Sequence, residues 1–440
     1  MSSDRSGRAA PVLFGRTGWS FAFVFCLYAY QGLVAGFALT ALPNHHAALG
    51  ASAADLGWHA AAVGLPWVLQ PAWGPVVDRF GDFRMGKRRF WAAAALAGSL
   101  AALLGLFAAP DIPGAIGLAS PALAAHGAFA ALLDTAVDGM VIDRVPPDKL
   151  GRANACTRAG FLTGIAAGSA LFASVLPAEG LHAAAALLAA VGALAAGVPL
   201  ALVREEPTDA WLSLGRRPQG GGEEARARPR RALRRFLAPM LRPQALVLVA
   251  FCVAVECAVA FVQLRTGLDL IQARGWDAEA LSRLQAALGF LAGTAGAFAV
   301  GWWSDRLGAL RGLSAVLLAG AAAYAGVALL LAAGVGAAPP LATALASALP
   351  VLIFVALAPA VMRASRGPGA ATRFALFMAA LNLGGVAGNA LAGAAGPALP
   401  LWAPVLAAAC VFAGCAALAR RPGLMFRRGV EAAAPARAAG

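Results

Sequence analysis

The chain has 440 residues, 60% of them hydrophobic and only 13% charged, with a formal net charge of +14. A soluble domain with that balance would carry a large apolar surface, so the composition excludes an ordinary water-soluble globular protein and indicates a chain embedded in lipid. The apolar runs are long and rich in Ala and Leu, without the ten-residue alternation of an outer-membrane barrel, so the fold class is all-α and polytopic.

A bilayer core of roughly 30 Å takes about 20 apolar residues per helix. The sequence predicts twelve spans, at 17–41, 54–77, 90–109, 117–142, 152–175, 181–203, 244–268, 279–303, 312–334, 340–363, 372–395 and 400–419. The start Met-Ser-Ser-Asp-Arg is polar and the first apolar run is long enough to cross, so no cleavable signal is expected and span one is retained. That span carries Tyr28, Tyr30 and Gln31, and His45 and His46 follow it in an expected outer loop. Trp58, Trp67 and Trp73 on span two suit packing or an interface belt. Span two ends in Gly74-Pro-Val-Val-Asp78-Arg79-Phe80-Gly81, followed by Asp82-Phe83-Arg84-Met85-Gly86 and the basic Lys87-Arg88-Arg89.

Span four holds His126, Asp134 and Asp138. The two acids are four apart and share a helix face, roughly 14 and 8 Å from the end near Asp143. An ionised group in hydrocarbon costs several kcal/mol and ordinarily faces a cavity or a partner. Like charges this close favour a shared proton, which makes Asp134 and Asp138 candidates for proton coupling. The rival reading is a salt bridge to Arg158, one turn into span five. His126 reads as a neutral core histidine bonded to a backbone carbonyl. Small-residue patterns, Gly160-x3-Gly164-x3-Gly168 and Gly384-Gly385-x2-Gly388, read as close helix packing.

Residues 204–243 form the longest hydrophilic stretch, with ten arginines and a Gly220-Gly221-Gly222 run, and read as a linker between two halves, most of it flexible, with a short surface helix near 232–241. The basic run belongs beside an anionic leaflet, so no nucleic-acid partner is expected. In span seven, Glu256 lies roughly 18 Å into the helix. Gln31 and Glu256 each stand 22 residues before the next span's opening Ala53 or Ala278, which makes them counterparts; Gln263 lies further along span seven. Span eight closes on Gly301-Trp-Trp-Ser-Asp305-Arg306-Leu307-Gly308, with Arg311 beyond it, a second copy of the motif 227 residues after the first. Such a repeat marks a duplicated chain. Span ten offers no charge before Arg363, and span eleven carries Asn382.

Basic residues of the short loops cluster at 79–89, 144–152, 306–311 and 363–373, all on one side, with only Arg265, Arg274 and Arg283 at or beyond the other face. The positive-inside rule then puts both termini in the cytoplasm of an inner-membrane protein. The six cysteines lack metal or redox spacing, so neither metal nor cofactor is expected. The absence of a Gly-x4-Gly-Lys-Ser/Thr loop argues against ATP-driven transport, and no enzyme activity is expected.

Twelve spans, a long middle linker and two Gly-x3-Asp-Arg-x-Gly loops at matching places resemble the major facilitator superfamily. The resemblance implies two six-helix halves, 1–203 and 244–420, with a cytoplasmic tail at 421–440, rocking about a midplane site. It implies that spans one, four, seven and ten line the cavity, which puts Gln31, Asp134 and Glu256 on cavity helices. The gating elements it implies are Gly74, Asp78, Arg79, Gly81, Lys87, Arg88, Gly301, Asp305, Arg306, Gly308 and Arg311, each acid pairing with arginines in a latch. Tyr28, Tyr30, Gln31, Arg158, Gln263 and Asn382 are the substrate-cavity candidates. The longer first loop, the prolines before it, and the run from Asp134 to Arg144 with Pro146-Pro147-Asp148-Lys149-Leu150-Gly151-Arg152 after it are similar to the branch of muropeptide permeases, acetyl-CoA transporters and siderophore transporters. The function this implies is a proton-driven carrier, acting as a monomer, for a siderophore-type small polar metabolite, in either direction. Alternatives are a muropeptide permease, a drug/proton antiporter, against which the missing Gly-Pro pair of span five counts, and a non-transporting assembly factor on the same fold.

Overall fold

The structure is a computed structural model describing residues 17–80, 83–109, 115–145, 150–216, 241–365, 370–396 and 399–425. Apart from one isolated bridge between Phe83 and Arg216, the described residues are helical or irregular. Hydrocarbon offers no partner for a backbone N–H, so each crossing satisfies its own ladder.

The first rod, α1, runs through Thr17–Gly36, a π-helical turn at Phe37–Ala41 and Leu42–Ala48. Next come α2 (Ala53–Val68, a 3-10 turn at Gln70–Ala72, then Trp73–Arg79), α3 (Arg89–Leu104 with Gly105–Ala108) and α4 (Ile116–Arg144). Leu150–Gly192 is continuous in hydrogen bonding but turns at Gly180, whose φ of 80° favours glycine, so it comprises α5 (150–179) and the start of α6 (181–202). The second half contains α7 (Pro243–Leu268 with Asp269–Ala273) and α8 (Ala278–Leu291, a π turn at Ala292–Gly296, Ala297–Leu307). It continues with α9 (Ala309–Ala332), α10 (Ala338–Ala364), α11 (Ala370–Ala395) and α12 (Trp402–Ala419).

Nine stretches among the described residues are long and apolar enough to cross a membrane, and one of them, Ala155–Leu202, folds at Gly180 into two rods. The helices α2 and α8 reach bilayer length as broken helices. Both open on a side-chain cap, Ser52 accepting from the Asp55 N–H and Asp277 from the Ala280 N–H, which fixes equivalent starts in the two halves.

There are two apolar cores: one runs from Phe23 to Val203 in the first half and takes in Leu268, Leu270, Ile271 and Leu281 from the second, and the other lies within the second half from Leu248 to Met425. Within the halves α1 packs along α5 and α7 along α11; between them α2 meets α11 and α5 meets α8. The glycine patterns explain the two close pairs. A Cβ at Gly160, Gly164 or Gly168 would land on the carbonyl oxygens of Phe25, Ala29 or Leu33, and one at Gly384 or Gly388 on those of Val253 or Cys257.

Cross-half hydrogen bonds gather at the end away from the basic loops. There Asn44 Nδ2 donates to Ser282 Oγ (2.8 Å) and Gln285 Oε1 (2.9 Å), and Gln272 Nε2 to the carbonyls of Ala47 (3.1 Å) and Ala51 (2.8 Å). Arg283 donates to Ser174 Oγ at 2.9 Å, and that hydroxyl bonds Glu279 at 3.0 Å.

Several sequence expectations are corrected. His45 and His46 are not in a loop: α1 continues past the expected end at residue 41, so they form part of its last turn and His46 is buried. Gly308 alone separates α8 from α9. Residues 204–216 are not a free linker but fold back on the loop after α2, as described below; the expected helix at 232–241 lies almost wholly outside the described residues.

Candidate functional site

The two acids of α4 come together with α1, α2 and α5. The Tyr28 hydroxyl donates to Asp138 Oδ1 at 2.6 Å, and Gln70 Nε2 donates to Asp134 Oδ2 at 2.5 Å. Gln70 reaches inward because Pro66 and Pro71 prevent α2 from continuing as a regular helix, and the backbone passes through a 3-10 turn at that level. Sequence reasoning did not single it out; the signal was a polar amide between two prolines in an apolar span.

Arg158 does not close a salt bridge with either acid: no ion pair within 4.0 Å joins them among the described residues. Its guanidinium instead lies 4.2 Å from the centroid of Phe354, a residue of α10 in the other half. Asp138 and Arg158 are both exposed although they sit well inside α4 and α5. Given the contact with Phe354, they border the space between the halves.

Glu256 lies against α11, its Cβ 3.0 Å from where a Cβ on Gly384 would be. It is half-buried and has no hydrogen bond or ion pair among the described residues. Its expected counterpart Gln31 is only 4% exposed, and the Gln31 Nε2 is buried without a hydrogen-bond partner. Asn382 bridges the halves, donating to the Trp67 carbonyl at 3.2 Å, while Gln263 is exposed nearer the sealed end of α7. Tyr30 is not a cavity residue. It is 1% exposed, bonds Ser99 Oγ at 3.1 Å and meets the His126 ring edge-on, all within the first half's core. Two residues of helical rotation turn Tyr30 away from the side that Tyr28 presents to Asp138 and toward Ser99 of α3 and the buried His126 of α4.

His126 is structural, its Nδ1 2.9 Å from Ser99 Oγ and 3.4 Å from the Ser99 carbonyl. His59, which the sequence reading passed over, is likewise held between Ser120 Oγ and the Ala38 carbonyl, both at 2.8 Å. An apolar groove of about 520 Å³ between α7 and α12, lined by Ala254, Phe261, Leu399 and Val411 among others, includes none of the candidates.

At the basic end, Arg88 pairs with Asp78 (2.8 Å) and with Asp143 at the end of α4 (3.2 Å). Gly139 makes room for it: a Cβ there would come 2.8 Å from Arg88 Nε. This arrangement is held from behind by residues 204–216. One Glu205 oxygen accepts the backbone N–H groups of Arg88 (2.7 Å) and Arg89 (2.5 Å), and Glu206 pairs with Arg144 at 2.8 Å. Ala210 donates to the Arg84 carbonyl at 2.8 Å and Arg84 to that of Gly215 at 2.9 Å. The Arg89 guanidinium is buried and donates to the carbonyls of Leu200, Ala201 and Ala210, each at 3.3 Å. Glu205 is 4% exposed, and burial pushes its carboxyl above the usual glutamate range, against the two N–H groups that pull it down.

Of the other motif positions, Gly74 has open space around it and Lys87 is exposed. Gly81 lies outside the described residues. In the second copy, the surroundings of Gly301 and the side chain of Asp305 also fall outside what is described. Arg306 lies 3.6 Å from the Trp302 ring centroid, Arg311 is exposed, and Gly308 takes a φ of 85° to turn α8 into α9.

Two six-helix halves tied together at one end, with Asp138 and Arg158 bordering the space between them, have the architecture of a membrane transporter rather than an enzyme. The family model described as Major Facilitator Superfamily matches residues 24–371, and the chain belongs to that superfamily. Among solved structures, the nucleoside transporter NupG in its D323A form superposes with a TM-score of 0.63 at 14% identity, over 93% of this chain and 100% of that one. A bacterial homologue of the human lysosomal transporter Spinster, in an inward-facing and unoccupied conformation, gives 0.61 at 16% identity, over 94% and 96%. At these identities the likeness is one of fold.

Proposed function

We propose that this secondary transporter is driven by the proton gradient and moves a siderophore-type polar metabolite across a bacterial-type inner membrane, as a monomer with both termini cytoplasmic. The observation that carries this reading is the bonding of the midspan acids. Asp134 and Asp138 are held by neutral donors, Gln70 and Tyr28, rather than by an arginine, and Glu256 has no hydrogen-bond or ion-pair partner among the described residues. Carboxyls left that way can exchange a proton or bond a ligand as the halves move, whereas acids locked to Arg158 could do neither.

The siderophore assignment rests on the resemblance of the 74–89 loop and of α4 with its following loop to that branch, on Tyr28 and Gln70 bonded to the acids of α4, and on polar side chains that reach across the halves, Arg158 to Phe354 and Asn382 to the Trp67 carbonyl. With three acids to one arginine, the site favours a neutral polar or cation-bearing ligand over a polyanion. Taking the basic end as cytoplasmic, the cross-half bonds close the outer end, so the arrangement described is inward-facing. The gate of the first half is the Asp78–Arg88–Asp143 set.

The test is mass spectrometry of siderophore inside and outside iron-starved cells with and without this chain. Accumulation inside the deletion strain with loss from the medium identifies an exporter, and iron-loaded siderophore left unused outside identifies an importer. No difference in either pool rejects the siderophore and makes muropeptides the next substrate to assay.

A further inference from the structure

The segment that braces the gating loop carries an apolar surface that nothing in the described chain covers. Trp211, Leu212 and Leu214 are 60%, 74% and 83% exposed. The Trp211 indole donates to the Ala201 carbonyl at 3.1 Å, which fixes the ring at the end of α6. Leu194, Val198 and Leu202 are exposed along the same α6, so the apolar strip runs off the lipid-facing helix into this segment without a break.

Three arginines stand beside it. Arg79 and Arg216 lie 5.7 and 5.9 Å from the Phe80 ring centroid, Arg216 is also 5.7 Å from that of Phe83, and Arg84 packs against Gly215. All three are exposed and none is in an ion pair among the described residues. Stacked guanidinium groups over aromatic rings, next to apolar side chains at the end of a crossing helix, are chemically matched to phosphate headgroups above acyl chains. The chain that follows is a poor rival for the surface, since residues 217–240 contain seven arginines against two glutamates.

We propose that residues 204–216, with Arg79 and Arg84, form a docking surface for the anionic phospholipid of the adjacent leaflet. Trp211, Leu212 and Leu214 enter the acyl boundary and the three guanidinium groups take the headgroup phosphates. The surface is joined to the gate, because the same segment bonds Arg84 through two backbone hydrogen bonds and Arg88 through Glu205. Lipid bound there holds the gating loop in the position described.

The experiment is amide-exchange mass spectrometry of the full chain in nanodiscs of phosphatidylcholine alone and of phosphatidylcholine with about one third phosphatidylglycerol. Each engaged arginine is expected to slow exchange over 204–216 by about five-fold in the anionic discs. The R84Q/R216Q variant is expected to lose most of that slowing while matching the parent in phosphatidylcholine, and R84K/R216K to keep much of it. Equal exchange of the parent in the two lipids, or a slowing that R84Q/R216Q leaves intact, overturns the proposal. So does protection that is indifferent to lipid and disappears when residues 217–240 are deleted, which would show that the chain covers itself.

Discussion

At the scale of single residues, the acids divide by what holds them. Asp134 accepts from the Gln70 amide, and an asparagine in its place keeps an acceptor oxygen for that donor while removing the titrating group. We expect D134N to fold within about 1 kcal/mol of the parent, to exchange substrate down a gradient, and to fall to the passive level when a proton gradient is the only driving force in vesicles. Gradient-driven accumulation that persists with an unchanged pH profile would remove Asp134 from proton coupling. Glu205 poses the opposite case, a carboxylate whose task is to accept two backbone N–H groups. Burial raises its carboxyl above the usual range, so the folded state holds the proton more firmly than the unfolded chain. Its contribution to stability is therefore greatest in acid and declines as pH climbs from the ordinary glutamate value through the raised one. A glutamine keeps the acceptor without the charge. E205Q is expected to match or exceed the parent in thermal unfolding at neutral pH and to flatten this part of the pH dependence. E205A, which strands both N–H groups, is expected to lose about 1–3 kcal/mol. The acids were legible in sequence because a charge in an apolar run stands out, and two at a spacing of four define a face. Gln70 was not, since its direction depends on a proline-broken backbone, and Tyr30 was misplaced because a polar tip on a cavity helix says nothing of which way the helix is turned.

At the scale of elements, backbone proximity decides which helices move together. In the first half α1 and α5 approach so closely that carbonyl oxygens of α1 occupy the space where side chains of α5 would start. Replacing Gly164 by Val would push the pair apart or force a backbone shift, a cost of about 1–3 kcal/mol of the overpacking kind. Thermal unfolding in detergent should register that loss, and the same substitution at Gly326, which has nothing within 4 Å, should not. An equal effect at both positions would mean that the glycine pattern reflects helix flexibility rather than packing. The spans and the glycine contacts could be read from the sequence because both depend on local composition and spacing. The π turns at 37–41, 193–197, 269–273 and 292–296 could not, as they follow from packing against neighbours. The ordered start of the linker was hidden for a related reason: the Arg-, Gly- and Pro-rich composition of 217–243 dominated the reading of the whole stretch. Glu205, Glu206, Asp209 and Trp211 at its start were the signal that its first part has partners.

At the scale of the whole molecule, transport requires that one end open as the other closes, and the strength of the contacts between the halves bears on whether it can. The four hydrogen bonds from Asn44 and Gln272 that tie the halves at the end away from the basic loops are each worth about 0.5–1.5 kcal/mol net, hence about 2–6 kcal/mol together. Inverting a two-state population from 99:1 takes about 5.5 kcal/mol, so this seal is strong enough to bias the cycle yet within reach of substrate binding. The rocking movement predicts that a covalent seal stops it. With Asn44 Nδ2 2.8 Å from Ser282 Oγ, the two side chains meet, and N44C/S282C is expected to form a disulfide under mild oxidation, seen by mass spectrometry of the intact chain. Oxidised protein in vesicles should then transport at the passive level, and reduction should restore the rate of the unoxidised variant. Each single substitution, oxidised in the same way, controls for damage to the six native cysteines. A cross-linked transporter that still runs at the parent's rate would mean that the halves do not part at this end, and that substrate leaves by some path other than the space between them.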